Sequence, residues 1–289
     1  MSTPTDTTRL PHGHGHGEPG EPGGGKPSLF ALVNATPMSR ARAGILLALV
    51  ALTAGSWAYL LTRDHGPGPT MGLSALLFLG VWVAMLAATM FPAVAPMVLM
   101  FARINATKRT KGMAYVPTSL FVSGYLVVWT GLGLLAYVAA LGAEDLAARS
   151  DWVAGNAARI GGVLIAGAGA YQFTKLKDRC LTECRSPLAF VMEHWRDGRR
   201  GALEMGVHHG WHCAGCCWAI MVAMFPLGMM NIAALAGVTA FVYAEKVLPA
   251  AKVLRYGAGV ALLAYGLAVL VEPSLLPGSM VHHMDHVHG

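Results

Sequence analysis

The feature that most limits what this chain can become is a series of nearly charge-free apolar stretches, separated by short polar loops. Seven occur, at 43–61, 73–101, 116–141, 161–174, 203–227, 229–244 and 256–271. A helix crossing a hydrocarbon core of ~30 Å needs about 18 or more mostly apolar residues. The fourth and sixth stretches therefore need interfacial neighbours, Ile160 and Tyr171 or Val247, to complete a crossing. With 55% of its 289 residues hydrophobic, 12% charged and a mean hydropathy of +0.51, the chain lacks the polar surface that water demands of a soluble domain. The sequence predicts an all-α polytopic membrane helix bundle of about seven transmembrane helices, with the lipid bilayer as its main solvent.

Basic residues in short loops are retained on the cytoplasmic side. Arg40 and Arg42 precede the first stretch, and Arg103, Lys108, Arg109 and Lys111 follow the second. Lys175, Lys177, Arg179, Arg185, Arg196, Arg199 and Arg200 follow the fourth, and Lys246, Lys252 and Arg255 follow the sixth. The alternate loops are mixed, acidic or uncharged: Arg63 with Asp64, then Glu144, Asp145, Arg149, Asp151 and Arg159, then the turn at 225–231. The expected topology has a cytoplasmic amino terminus and an external carboxyl terminus in a bacterial cytoplasmic (inner) membrane. Topology thus accounts for the formal net charge of +6, which is not read as a nucleic-acid footprint.

Three regions follow. Residues 1–39 form a His/Gly/Pro-rich tail, expected to be disordered and cytoplasmic and without the apolar run of a signal peptide. Residues 40–273 form the transmembrane domain, and 274–289 a His/Met-rich external tail. The longest internal loop, 175–202, is expected to extend the fourth helix or to lie on the membrane surface.

The chemistry concentrates where the fifth stretch begins. His208, His209, His212, Cys213, Cys216 and Cys217 fall within ten residues, and ionisable groups inside a bilayer are costly enough to mark a functional site. At ~100° per residue the six share about half the helix circumference, with several pairs spaced i, i+4 so that both members face one way. One straight helix rarely closes a tetrahedral site alone, so a second helix is expected to contribute. Met85, Met90 and Met97 on the second stretch are candidates, beside Pro92 and Pro96, which remove backbone donors and imply a kinked segment whose opened backbone is satisfied by protein or water, at a cavity or pathway and not a lipid face. The plainer readings stand beside these: free Cys packs as a small hydrophobe, and Met fills apolar gaps.

Cys180 and Cys184, four apart among basic residues, suit a metal relay or redox role in a reducing compartment, or are an inert pair on a surface helix. His12, His14 and His16 in the first tail, and His282, His283 and His286 in the last, suit weak Cu or Zn capture, or reflect compositional drift. Glu245 and Lys246 either pair across the bundle or mark the interface. With no Asp or Glu in mid-span, oxygen-seeking ions are poorly served; a Cys/His/Met inventory suits Cu(I) first and zinc second. A thiol-disulfide oxidoreductase using Cys213, Cys216 and Cys217 is the alternative.

Together, Trp82, Met85, Met90, Pro92 and Pro96, then Gly169 to Gln172 with Lys175, Lys177, Cys180, Cys184 and Pro187, then Gly206, Gly210, Cys213, Cys216, Cys217 and Trp218, and finally Met230, Asn231, Glu245, Lys246 and Pro249, form a specific set. On these motifs the chain resembles the bacterial predicted metal-binding integral membrane proteins, copper-chaperone-like partners of tyrosinase-type copper oxidases. The resemblance implies copper binding and supply to a copper-dependent enzyme or apoprotein acceptor. With abundant soft ligands and no mid-membrane carboxylate to act as a general base, the residues themselves point to a protein that hands metal on and catalyses no reaction of its own.

Overall fold

The computed structural model describes residues 40–62, 68–110, 112, 116–229 and 231–277. Both His-bearing tails, with His282, His283 and His286, lie outside them. The described residues form ten α-helices and one 3₁₀ turn, with no strand among them. They are α1 (Arg40–Thr62), α2 (Ala75–Thr110), α3 (Thr118–Arg149), α4 (Asp151–Gly155), α5 (Ala157–Tyr171), α6 (Lys175–Arg185), α7 (Pro187–His194), α8 (Gly198–Leu227), α9 (Ile232–Val247) and α10 (Ala251–Val271), with the 3₁₀ turn at Pro273–Leu275.

The expected all-helical architecture is therefore present, and all seven apolar stretches are helical. Five helices, α1, α2, α3, α8 and α10, are long and apolar enough to cross a membrane. The fourth and sixth stretches give α5 and α9, of 15 and 16 residues. At ~1.5 Å per residue these fall short of a ~30 Å core on their own. Their boundaries have local causes. Asn156 separates α4 from α5. Gly228, at φ +88°, ends α8, and the Asn231 side chain accepts from Ala234 N at 3.1 Å to start α9.

Burial sorts the long helices. In their most apolar windows α2 is 67% buried and α8 56%, against 11%, 17% and 22% for α1, α3 and α10. Residues such as Leu76, Val127, Leu135, Val253 and Val271 stay exposed, as lipid-facing side chains do. Helix pairing relies on small residues. A Cβ on Gly206 of α8 would collide with the Phe121 carbonyl of α3, and one on Gly124 of α3 with the Leu203 carbonyl of α8. Between α5 and α10, a Cβ on Gly162 would lie 2.9 Å from the Gly266 carbonyl, and one on Gly266 2.7 Å from the Gly162 carbonyl. Lipid tails give helices no hydrophobic reason to associate, so close backbone contact at glycines supplies the attraction.

Helix α2 runs continuously through Pro92 and Pro96. Pro92 has no N–H for the Ala88 carbonyl, and Trp57 of α1 donates its indole N–H there instead, at 3.2 Å. Of the two partners the sequence left open, protein and water, protein satisfies the carbonyl opened by Pro92. The 175–202 loop is a correction to expectation. It does not continue α5, since residues 172–174 separate the two helices; α6 is a helix of its own that buries Lys177, Cys180, Leu181 and Cys184 and packs against α8.

Candidate metal centre

Helix α8 sets Cys213, Cys216 and Cys217 at i, i+3 and i+4, on one face. All three are buried, their sulfurs lie within 4.8 Å of one another, and Cys216 Sγ is 3.3 Å from Cys217 Sγ. The second helix that such a site needs is α6. Thr174 caps it by accepting from Lys177 N at 3.3 Å, and its buried stripe brings Cys184 Sγ to 3.8 Å from Cys216 Sγ. Four sulfurs bound tetrahedrally at ~2.3 Å would stand about 3.8 Å apart, so this separation is that of donors sharing one ion.

Cys213 has two further partners. Tyr125 Oη of α3 lies 3.3 Å from its sulfur, and Lys246 Nζ of α9 donates to it at 3.1 Å. Lys246 is buried, so it places a fixed positive charge beside the sulfur cluster. Its neighbour Glu245 turns the other way, with both carboxylate oxygens within 3.0 Å of Lys177 Nζ. Arg185 Nη1 donates to the Glu245 backbone carbonyl at 2.6 Å. Glu245 and Lys246 therefore pair across the bundle and do not mark an interface. A buried ion pair contributes little net stability against its desolvation cost, but it fixes which surfaces meet; here it pins α6 and α9 around the thiols.

Cys180 is buried against α8 at Gly215, where a Cβ would come within 2.5 Å of its sulfur. Tyr171 Oη donates to the Gly215 carbonyl at 2.5 Å. Met85, Met90 and Met97 of α2 are fully buried in the same hydrophobic cluster as the five cysteines. All five cysteines are free thiols.

The histidines part company with the cysteines. His209 is buried in an aromatic slot, 5.9 Å from the Phe121 ring, 6.0 Å from Tyr125 and 5.2 Å from Phe190. His208 and His212 also lie against the Phe190 ring of α7, at 5.9 and 6.3 Å, and less buried than His209 they meet His194 at 4.3 and 6.5 Å between ring centroids. The half-circumference seen in sequence is thus divided between two surroundings. Sequence reasoning missed Tyr125 and His194, and left Lys246 undecided. No spacing rule links them to the cysteine motif, since each arrives from another helix.

A family model described as PpoB2, copper chaperone, matches residues 79–269. That interval runs from α2 to α10 and holds every cysteine, Lys246 and the three candidate methionines. No curated protein and no solved structure matches the chain.

Proposed function

This chain belongs to the PpoB2 copper chaperone family, and from that premise we propose that it holds Cu(I) at Cys184, Cys213, Cys216 and Cys217 within a bacterial cytoplasmic membrane and passes it to a copper-dependent acceptor. The family's role is metal handling rather than catalysis. The observation that carries the proposal is the buried thiol cluster, three sulfurs from α8 and one from α6, with an ammonium 3.1 Å from one of them. Soft sulfur donors select Cu(I), and thiolates also serve zinc; the family favours copper. Lys246 offsets the negative charge that several thiolates around a monovalent ion leave behind. The buried methionines of α2 are weaker thioether donors suited to passing the ion on, and the acceptor is the tyrosinase-type oxidase of the resemblance or another copper apoenzyme.

The test is competition for Cu(I) and Zn(II) against chelators of known affinity, using the full chain in detergent. Cys213→Ser with Cys216→Ser and Cys217→Ser should abolish tight Cu(I) binding, Cys184→Ser should weaken it, and zinc should compete poorly. Unchanged Cu(I) affinity in the triple variant would overturn the assignment.

A further inference from the structure

Beside the thiols, on the α7 side of α8, lies a second cluster of different chemistry. His208 and His212 are four apart on α8, and α7 ends at His194, so that three imidazoles meet with centroids 4.3, 4.8 and 6.5 Å apart. A nitrogen-bound metal at ~2.0–2.1 Å sits about 3.2 Å from each ring centre, which puts cis imidazole centroids ~4.6 Å apart and trans centroids ~6.4 Å apart. The observed spacings are those of a T, with His208 cis to both others. The rings need only turn about their soft χ2 torsions to aim one nitrogen each at a shared ion.

Carboxylates complete the set. The Glu183 side chain of α6 and the Glu193 side chain of α7 have ligand atoms within 4.8 Å of each other and of His194. Glu183 also interacts electrostatically with His208 and His212. Arg196, the basic side chain that also acts on His208, is already engaged by Glu204 at 2.7 Å. The imidazoles are prepared as ligands. His194 Nδ1 is 3.1 Å from the Phe190 carbonyl; a carbonyl only accepts, so Nδ1 carries the proton and Nε2 keeps its lone pair. His212 Nδ1 is buried with no hydrogen-bond partner.

We propose that His194, His208, His212 and Glu183 form a second metal site, one that takes a divalent, nitrogen- and oxygen-seeking ion such as Cu(II). Tetragonal nitrogen and oxygen donor sets suit Cu(II), as sulfur sets suit Cu(I). His208 precedes Cys213 by five residues, about 7.5 Å of helix rise, while His212 adjoins Cys213 and Glu183 adjoins Cys184 in sequence, so the site abuts the thiol cluster with its own set of side chains. It is partly open where the thiols are sealed: His208 is exposed and His194, His212 and Glu183 are half-buried. It uses none of the cysteines and is tested apart from them.

The experiment titrates Cu(II) into the full-length protein in detergent, its thiols first filled with Ag(I), and reads electron paramagnetic resonance. Beyond any copper held by the tails, the parent should take up one equivalent with a tetragonal spectrum showing imidazole nitrogen couplings. His194→Gln and His208→Gln should each lose that equivalent or bind it at least tenfold more weakly. Copper on the tail histidines is common to all samples and cancels in the difference. Both substitutions are at partly exposed positions, and retained Ag(I) stoichiometry at the thiols reports an intact fold. Spectra and affinities unchanged by either substitution would overturn the second site. Failure of the thiols to take up Ag(I) would instead count against the Cu(I) proposal, and the Cys213→Ser, Cys216→Ser, Cys217→Ser variant would then serve as parent for the same Cu(II) comparison.

Discussion

At the scale of single residues, Lys246 carries the most consequence for the least sequence signal. A lysine at the last turn of an apolar helix ordinarily snorkels to the interface, keeping its charge in water. Lys246 instead is buried with its ammonium 3.1 Å from Cys213 Sγ. The arrangement has a direct functional meaning, because a cluster of thiolates holding Cu(I) is net negative and buried, and a fixed cation nearby lowers the cost of forming it. Hydrogen bonds to charged groups are worth ~1.5–3 kcal/mol, and each ~1.4 kcal/mol is tenfold in affinity. Lys246→Leu, which keeps apolar bulk and brings no sulfur donor, is expected to weaken Cu(I) binding by about ten- to a hundredfold while leaving the stoichiometry intact. Lys246→Arg should retain most of the affinity if charge is what matters. Chelator competition reads both, and equal affinity in the Leu variant would remove Lys246 from the site's function.

At the scale of elements, backbone approach and backbone repair decide which helices meet. Gly162 of α5 faces the Gly266 carbonyl, whereas a Cβ on Gly167 of the same helix would meet nothing within 4 Å. Gly162→Val should therefore push α10 away and destabilise by at least the ~1–3 kcal/mol typical of overpacking, while Gly167→Val should be near neutral; thermal unfolding in detergent compares the two. Trp57 and Pro92 make a sharper pair. With Pro92 present the Ala88 carbonyl depends on the Trp57 indole, so Trp57→Phe should cost ~1–3 kcal/mol for a buried acceptor left unsatisfied. With Pro92→Ala, the restored N–H supplies that carbonyl, and the same Trp57→Phe change should cost measurably less. Additive losses would mean that the indole is only packing. These elements also show what the sequence disclosed. Cys213, Cys216 and Cys217 were legible because helical periodicity alone puts them on one face, and the need to repair the backbone at Pro92 followed from the missing N–H. Cys180 and Cys184 of α6 were legible as metal or redox candidates, but not as neighbours of the α8 cysteines: the Lys, Arg and Asp residues around them read as a cytoplasmic loop, and the buried Lys177–Glu245 pair, a contact across 68 residues, accompanies the inward turn of Cys184. His194 was hidden for the same reason, since its partners lie on another helix.

At the scale of the whole molecule, the number of helices that cross the membrane decides which compartment the thiols face. Counting α1, α2, α3, α5, α8, α9 and α10 as crossings, or only the five long helices, gives an odd number either way, so the side of the carboxyl terminus does not discriminate. The segment between α5 and α8 does. With seven crossings it is cytoplasmic and the turn between α8 and α9 is external; with five, both reverse. The segment holds Lys175, Lys177, Arg179, Arg185, Arg196, Arg199 and Arg200. Lys177 is buried in its pair with Glu245, yet the others still outnumber the basic residues of any other loop, and positive residues in short loops stay inside. Short α5 and α9 are no bar to crossing, because helices shorter than the hydrocarbon core are accommodated at modest cost by local thinning and flanking anchors, and α5 is covered along one face by α10. We therefore expect seven crossings. Topology reporters inserted at Gly198 and at Gly228 should read cytoplasmic and external respectively, placing the α6–α7 side of the site, with its histidines, toward the cytoplasm. The reverse pair of readings would leave five crossings, move that side of the site outside, and make an external apoenzyme the nearer acceptor.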